Sequence, residues 1–458
     1  MKNIFKIGFV TLGMLSAASC SSDFVDREFQ QSVIQSDLTS LQEVQSFVRG
    51  AYVSMRSSTY YGRDFLAYGE IRSDEMFSNG GSGYYNTVRQ YTMLSSDAYA
   101  RDTYNQMYTM IGKTNIVINT DLNKLSGTPQ DIQKAEYYQG QAYALRAQGF
   151  FDLLRLYGQK YTGGTLGIVT PLKYDPKALQ ARSTIAETEA QIESDFNKAL
   201  SVMTTRSSYD TPSNKTELSI NALKVLMSRF YLYKGDYARV RTLIAEVYGK
   251  YTVAPKDLLQ PTFDYTLRGA APNAIFELEV GTDSSLSTSS YNQILSYNGY
   301  KNLVVYKSTY DLYSTADVRR NLISLISGTY YLSYSTRGKY LNRTGADNIK
   351  MIRYEEALLN GAEAELNGGN AATALKYYNE IITNRGLPAV TAVTLDMIKL
   401  ERRKELLGEG FRQWDLLRWG DYSFKPAAVS KDLLAFPIPR SETDISGTPV
   451  VANPGYDN

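Results

Sequence analysis

The chain has 458 residues, with 49 lysine and arginine residues against 47 aspartate and glutamate residues, one cysteine and no histidine. This composition excludes Ser-His-Asp and Cys-His catalysis, histidine-ligated metal sites, an internal disulfide and an iron–sulfur cluster. A formal charge of +2 gives no electrostatic footprint for nucleic acid, and we expect neither a nucleic-acid partner nor a cofactor.

The first 19 residues have the features of an export signal: two lysines, a short apolar stretch and three small residues. The only cysteine, Cys20, follows directly, as in a bacterial lipobox, although Ala17 stands where that motif usually has leucine. We predict that Cys20 is acylated, becomes the mature N-terminus and anchors the chain through residues 20–37, a polar tether. The alternative is a plain secretory signal with an incidental cysteine.

From residue 38 onward, apolar residues recur at three- and four-residue spacing, which predicts α-helices. The helical segments are about 38–52, 101–122, 131–157, 184–203, 218–248 and 349–385. The segment 131–157 is apolar on two faces, which is typical of a helix packed between neighbours in a stacked helical solenoid. Turn residues at 234–236 and 367–370 split the last two segments into antiparallel hairpins like those of tetratricopeptide repeats.

Residues 250–345 are rich in tyrosine, serine, threonine and glycine, with short runs at 274–278 and 303–306 that predict strands. We therefore expect a mainly α single domain over 38–458, with helical blocks at about 38–248 and 349–420 and a loop-rich lobe at about 250–345. The proline-containing tail from residue 421 is predicted to be irregular.

Several motifs occur in a fixed order along nearly the whole chain. They are Cys20, RAQGFFDLLRLYG (146–158) with TPL (170–172), RYEEALL (353–359), ERRKEL (401–406) with GEGFR (408–412) and DLLR (415–418), FPIP (436–439) and NPGY (453–456). In this combination the chain resembles the SusD/RagB family of outer-membrane nutrient-binding lipoproteins.

The resemblance implies a fold of four tetratricopeptide-like helical hairpins that support a loop-rich ligand-binding face. It also implies a location at the cell surface, on the outer membrane, and a partner, a SusC-like TonB-dependent transporter. Family members capture oligosaccharides in most branches and peptides in the RagB-like branch, and they are not enzymes.

Acidic and basic residues alternate over 401–418, which at first suggests a catalytic site. Equal alternation of sign favours ion pairs that hold helices together over a single perturbed carboxylate. Both tryptophans, Trp414 and Trp419, fall in this block, where we expect them to serve packing. We therefore predict no catalytic residues.

Binding is expected at aromatic residues in loops, because tyrosine offers a sugar a rigid apolar face with a polar hydroxyl, and the chain has 38 tyrosines. The candidates, near the loop NGGSGYYN (79–86) and in the later lobe, are Tyr84, Tyr85, Asn86, Tyr291, Asn292, Tyr297 and Tyr300. Asp74 joins them because the family often places a ligand-contacting acid there.

Three alternatives to a glycan-binding protein stay open. The absence of tryptophan from the loops favours a peptide ligand somewhat, and a glycosidase needs only two carboxylates and no histidine. A tetratricopeptide scaffold for other proteins is the third. Without Lys2 and Lys6 the mature chain is formally neutral, which fits an uncharged ligand.

Overall fold

The computed structural model describes residues 37–267 and 269–457. The chain divides into two units, residues 1–38 and 39–458, and the helices and strands below belong to the second. The fold is mainly α, with 49% of the described residues in helices and 7% in strands. The α-helices of the described residues are α1 Leu41–Met55, α2 Asp64–Ile71, α3 Asn86–Gln90, α4 Ala98–Asn119, α5 Pro129–Tyr157, α6 Ile185–Thr205, α7 Ile220–Lys234, α8 Tyr237–Val247, α9 Tyr291–Leu295, α10 Lys307–Tyr310, α11 Tyr354–Leu366, α12 Ala371–Thr383, α13 Leu395–Glu405, α14 Arg412–Arg418 and α15 Arg440–Thr443.

The longest helix, α5, lies between neighbouring helices as its two apolar faces predict. Thr128 and Asp131 form a reciprocal capping box at its start, where Pro129 occupies the first turn. The helix contacts α1, α4 and α6. At Gly149 the approach is so close that a Cβ atom would lie 2.5 Å from Met110 Cε. The motif at 146–158 is therefore a packing surface.

Four helix pairs form much of the helical part of the domain: α1 with α4, α5 with α6, α7 with α8, and α11 with α12. The turn between α7 and α8 is the predicted one, because Gly235 has a φ of 74° and the Asp236 side chain accepts a hydrogen bond from the Arg239 backbone N–H. Asn370 caps α12 in the same manner. The predicted helical hairpins are confirmed here.

Short antiparallel strands form three small sheets. The strands are β1 Met76–Ser78, β2 Ala274–Leu278, β3 Leu303–Val305, β4 Ser324–Ile326, β5 Thr329–Tyr331, β6 Ser333–Tyr334, β7 Arg337–Gly338 and β8 Ile349–Arg353. The largest sheet has the order β1-β3-β5-β4, and the other two are β2-β8 and β6-β7. Pairing of β1 with β3 joins the segment before the glycine-rich loop to the later lobe.

The segment 349–385 differs from its prediction, because Ile349–Arg353 form a strand before the first helix begins at Tyr354. This strand pairs with β2, and Lys350 Nζ lies 2.5 Å from a carboxylate oxygen of Glu277. Pairing with a distant strand thus decides the local conformation, which periodicity cannot reveal.

The predicted signal peptide, Cys20 and residues 20–36 of the tether lie outside the described residues. In the part of the chain that the structure describes, no helix has both the length and the apolar character needed to span a membrane.

Candidate ligand-binding surface

Two of the predicted tyrosines come together from distant parts of the chain. The ring centroids of Tyr84 and Tyr300 are 5.0 Å apart, with an angle of 52° between the ring planes. Tyr84 follows β1 and Tyr300 precedes β3, so the pairing of these two strands brings the loops side by side. Both side chains are half-buried, which leaves part of each ring open to solvent.

Backbone contacts hold the glycine-rich loop against the later lobe. The Asn79 backbone N–H donates to the Asn302 carbonyl at 2.9 Å, and the Ser78 hydroxyl donates to the Tyr84 carbonyl at 2.8 Å. Within the loop, the Gly83 N–H donates to the Gly80 carbonyl at 3.1 Å, which makes a tight turn. The position of Tyr84 is therefore set by hydrogen bonds on both sides of the loop.

Tyr85 supports this loop from inside. Its side chain is fully buried, stacks on Tyr99 with 4.9 Å between centroids, and donates its hydroxyl proton to the Asp64 carboxylate at 2.6 Å. Its φ of 60° lies in the left-handed region, and the two adjacent side chains have different environments: Tyr84 is half-buried and Tyr85 is buried. Burial raises the pKa of the Asp64 carboxyl, despite the ion pair that it forms with Arg63.

Arg63 was not a candidate from the sequence, yet its guanidinium lies 5.3 Å from the centroid of the Tyr84 ring. It also pairs with Asp64 at 2.6 Å, so one cation connects the exposed ring to the buried carboxylate. Burial, and then the hydrogen bond with Tyr300, raise the pKa of the Tyr84 phenol, which keeps this hydroxyl protonated. No sequence signal marked Arg63, because its role depends on tertiary contacts alone.

Tyr297 extends the aromatic surface toward the β6-β7 hairpin. Its ring packs edge-on against Tyr331 at 5.3 Å and Tyr334 at 5.2 Å, measured between centroids. Its backbone N–H donates to the Ser333 carbonyl at 2.9 Å, and the Lys301 ammonium lies 4.4 Å from its ring centroid. The half-buried rings of this area form what we call the tyrosine surface: Tyr84, Tyr297, Tyr300 and Tyr334.

The structure places Tyr291 and Asn292 in the interior, beneath these loops. Tyr291 is 3% exposed and packs edge-on against Tyr340. The Asn292 amide donates to the Asp347 carboxylate at 2.7 Å and to the Asn342 carbonyl at 2.9 Å. Burial against neighbouring rings and carbonyls thus gives both residues a supporting position.

Asn86 and Asp74 lie outside the tyrosine surface as defined here. Asn86 is half-buried at the start of α3. The Asp74 carboxylate accepts hydrogen bonds from Arg412 at 2.7 and 2.9 Å and pairs with Arg403 at 3.0 Å. Although burial opposes it, Arg412 first and then Arg403 hold the pKa of Asp74 below its usual value. The charge of Asp74 is therefore already neutralised by α13 and α14.

The charged block 401–418 forms ion pairs, as its alternation of sign predicts. Glu405 binds Arg385, Arg353 and Arg319, and its carboxylate is buried. Although burial opposes it, Arg385 and then Arg353 hold the pKa of Glu405 well below its usual range. A carboxylate fixed in this way cannot exchange a proton with a substrate near neutral pH.

The two tryptophans of the same block serve packing. Trp414 stacks on Phe65 with 6.0 Å between centroids, and Trp419 donates its indole N–H to Glu363 at 2.9 Å. Neither side chain belongs to the tyrosine surface.

Glu70 and Glu75 both have raised pKa values, a property that catalytic carboxyl groups often share. Burial raises the pKa of Glu70 to about 7 and that of Glu75 well above its usual value. Both side chains are enclosed, with exposures of 0% and 1%, so a polymeric substrate has no access to them. Within residues 37–267 and 269–457, no group of three or more acidic, histidine or cysteine side chains could hold a metal ion.

Two family models match the chain. Residues 23–232 match the family described as starch-binding and associating with the outer membrane, and residues 326–432 match the SusD family. A curated relative, SusD-like protein P38 of Formosa agariphila, is 26% identical over 428 residues, which cover 79% of this chain and 80% of the relative.

Solved structures share the fold. A structure described as that of a candidate sugar-binding protein of Bacteroides vulgatus aligns with a TM-score of 0.80 and 27% identity, over 92% of this chain and all of that chain. Surface glycan-binding protein A of Bacteroides thetaiotaomicron, in complex with laminarihexaose, aligns with a TM-score of 0.71 and 19% identity, over 90% of this chain and 99% of that chain. The family matches cover more than half of the sequence, and the helical fold and its relatives agree with them: the chain belongs to the SusD/RagB family.

Proposed function

We propose that this protein captures an oligosaccharide on the tyrosine surface and delivers it, uncleaved, to a SusC-like TonB-dependent transporter in the outer membrane. The observation that carries the proposal is the Tyr84–Tyr300 pair, two half-buried rings whose centroids are 5.0 Å apart on loops held by β1 and β3. A sugar ring packs its C–H bonds on such faces, while the tyrosine hydroxyls bond its rim.

The comparisons support the glycan class of ligand. One matching family is described as starch-binding, and a structural relative at 27% identity is described as a candidate sugar-binding protein. The laminarihexaose complex supports the ability of this fold to hold a glycan. The first family description also supports association with the outer membrane, which fits an acylated Cys20 as the anchor.

The positions of several carboxylates support binding without bond cleavage. Glu70 and Glu75, two acidic side chains with raised pKa values, are enclosed, and Asp74 is paired with arginines. A glycosidase needs two carboxyl groups that reach the glycosidic bond from opposite sides. The tyrosine surface provides aromatic faces and hydroxyls instead.

The test is calorimetry and affinity electrophoresis of the chain from Ser21 onward, with panels of oligosaccharides and of peptides. We expect micromolar to millimolar binding to at least one oligosaccharide and recovery of that oligosaccharide intact by chromatography. Release of shorter products would support the glycosidase alternative. Binding confined to peptides would support the RagB-like alternative.

Delivery to a transporter has its own test. Solubilised outer membranes should yield a complex of this protein with a TonB-dependent transporter when the lipoprotein is isolated through a C-terminal tag. Isolation of the lipoprotein without a transporter, under mild detergent and at low salt, would contradict this part of the proposal.

A further inference from the structure

The segment 284–346, which carries Tyr297, Tyr300 and Tyr334, has a local excess of positive charge, and Asp283 and Asp347 flank it. Residues 284–346 contain seven lysines and arginines and two aspartates, in a chain whose total is 49 against 47. The mature chain is formally neutral as a whole, yet its charged residues are unevenly distributed along the sequence. The facing segment 76–96 adds Arg89 and no acidic residue.

Three exposed cations of this lobe lie at the tyrosine surface: Lys301, Arg337 and Arg343. The Lys301 ammonium is 4.4 Å from the centroid of the Tyr297 ring. Arg337 is the strand partner of Tyr334 in the β6-β7 hairpin. The Arg343 guanidinium donates to the Asn298 carbonyl at 2.7 Å, next to Tyr297. We call these three residues the exposed cations.

The other cations of the lobe are already compensated or occupied. Lys307 pairs with Asp311 at 2.5 Å, Arg319 pairs with Asp317 at 2.8 Å, and Lys339 pairs with Glu409 at 2.5 Å. Arg320 is held by the Tyr313 carbonyl and the Tyr310 ring.

Both aspartates of the segment 284–346 are thus in use, and no carboxylate of the described residues forms an ion pair with an exposed cation. Arg63, beside Tyr84, is paired with Asp64. The unpaired positive charge therefore lies beside Tyr297 and Tyr334, and Arg89 adds to it next to Phe77.

From this arrangement we propose that the ligand of the tyrosine surface is an anionic glycan, one whose sugar rings carry carboxylate or sulfate groups. The inference rests on the proposed function and narrows its substrate class. Sugar rings pack on Tyr84, Tyr297 and Tyr300, and their anionic groups accept charge-assisted hydrogen bonds from the exposed cations. An arginine offers a planar fork that matches a carboxylate or sulfate, and a lysine offers a mobile point charge.

The proposal is tested on the full-length protein in detergent by calorimetry with matched pairs of oligosaccharides. One pair is an oligogalacturonate and its methyl ester, and the other is a carrageenan oligosaccharide and its desulfated form. We expect the anionic member of at least one pair to bind ten times more tightly or better. We also expect that advantage to shrink severalfold between 50 and 500 mM salt, because exposed charges are screened. The pair that shows it distinguishes carboxylate from sulfate.

Equal affinity within both pairs, or tighter binding of neutral glycans such as laminarin oligosaccharides, would overturn the anionic class and leave glycan capture standing. Absence of binding to every glycan, charged or neutral, would overturn both proposals.

Two variants that each remove three positive charges test whether the exposed cations cause the preference for anionic glycans. The triple variant Lys301→Gln, Arg337→Gln, Arg343→Gln should lose at least tenfold in affinity for the anionic member and less than twofold for a neutral one. The control, Lys173→Gln, Lys177→Gln, Lys198→Gln, removes three exposed positive charges elsewhere and should bind as the wild type does. Equal losses in both variants would overturn the assignment to the exposed cations, and the salt dependence of the wild type decides the question if the first variant fails to fold.

Discussion

Tyr84 and Tyr300 lie with their ring centroids 5.0 Å apart, although one belongs to the first quarter of the chain and the other to the later lobe. Pairing of β1 with β3 fixes this relationship, and hydrogen bonds from Asn79 to the 301–302 backbone reinforce it. The two rings therefore form one preorganised face, which lowers the entropic cost of binding.

Removal of either ring should weaken glycan binding directly. Tyr84→Ala and Tyr300→Ala are each expected to cost about 1–2 kcal/mol of binding free energy, or about 5- to 30-fold in affinity, because a stacked aromatic contact contributes on this scale. Calorimetry with the best oligosaccharide of the panel measures it. Tyr174→Ala, which removes an exposed tyrosine elsewhere, is the control and should leave affinity unchanged. Wild-type affinity in both ring variants would argue against this surface.

Loss of the hydroxyl should lower the stability of the protein at Tyr85 but not at Tyr84, the adjacent tyrosine of the glycine-rich loop. Tyr85→Phe leaves the buried Asp64 carboxylate without one of its donors and should lower the free energy of unfolding by about 1–3 kcal/mol. Tyr84→Phe removes a half-exposed hydroxyl and should leave stability within about 0.5 kcal/mol. Urea unfolding of both variants measures the difference, and equal stabilities would contradict the supporting role of Tyr85.

The buried ion pairs should be far more sensitive to mutation than the exposed ones. Arg385→Met leaves the buried carboxylates of Glu405 and Glu355 each without one of their arginine partners and should cost about 3–5 kcal/mol of stability. Arg239→Met breaks an ion pair with Glu193 in which the arginine is half-exposed, and should cost less than about 1 kcal/mol. Denaturant unfolding checks both, and similar losses for the two variants would contradict the structural role of the network.

Glu70 makes stability depend on pH. Burial raises its pKa from 4.5 to about 7, so the folded protein retains a proton that the unfolded chain has already released. Stability contributed by this proton is lost as the pH rises from about 4.5 to 7. Glu70→Gln should therefore match the wild type near pH 4 and exceed it by up to about 3 kcal/mol at pH 8.

Melting temperatures of the two proteins across this pH range provide the measurement. Glu442→Gln, at a half-buried carboxyl far along the chain, serves as a control with a smaller expected change. A constant difference between Glu70→Gln and the wild type at all pH values would contradict the buried protonated carboxyl.

The anchor prediction rests on the sequence alone and is tested in cells. Cys20→Ala should abolish incorporation of labelled fatty acid and release the protein from the membrane fraction, because the acyl chains supply the membrane affinity. Cys20→Ser serves as a second variant without the thiol. Membrane retention of both variants would refute acylation at this position.

The helices could be predicted from the sequence because their signals are local. The apolar period of α5, the glycine at 235 and the asparagine at 370 each act within a few residues of their own position. The strand Ile349–Arg353 escaped prediction because its partner β2 lies some 70 residues earlier.

The tyrosine surface was predicted only in part, because the contacts that form it are not local in the sequence. A glycine-rich loop with two tyrosines indicates a binding loop, yet nothing local tells that Tyr85 turns inward to Asp64 while Tyr84 stays at the surface. Asp74 looked available, but its partner Arg412 lies 338 residues further along the chain. Arg63 reaches Tyr84 only through the tertiary fold.

The fastening of the glycine-rich loop by backbone groups has an evolutionary consequence. Asn79, Ser78 and Asn302 hold the loop through main-chain partners, and these hydrogen bonds do not involve the side chains at positions 84 and 300. We therefore expect substitutions at those two positions to change ligand preference at little cost in folding stability. We expect relatives of this protein that bind other ligands to differ at these positions and to keep the helical scaffold.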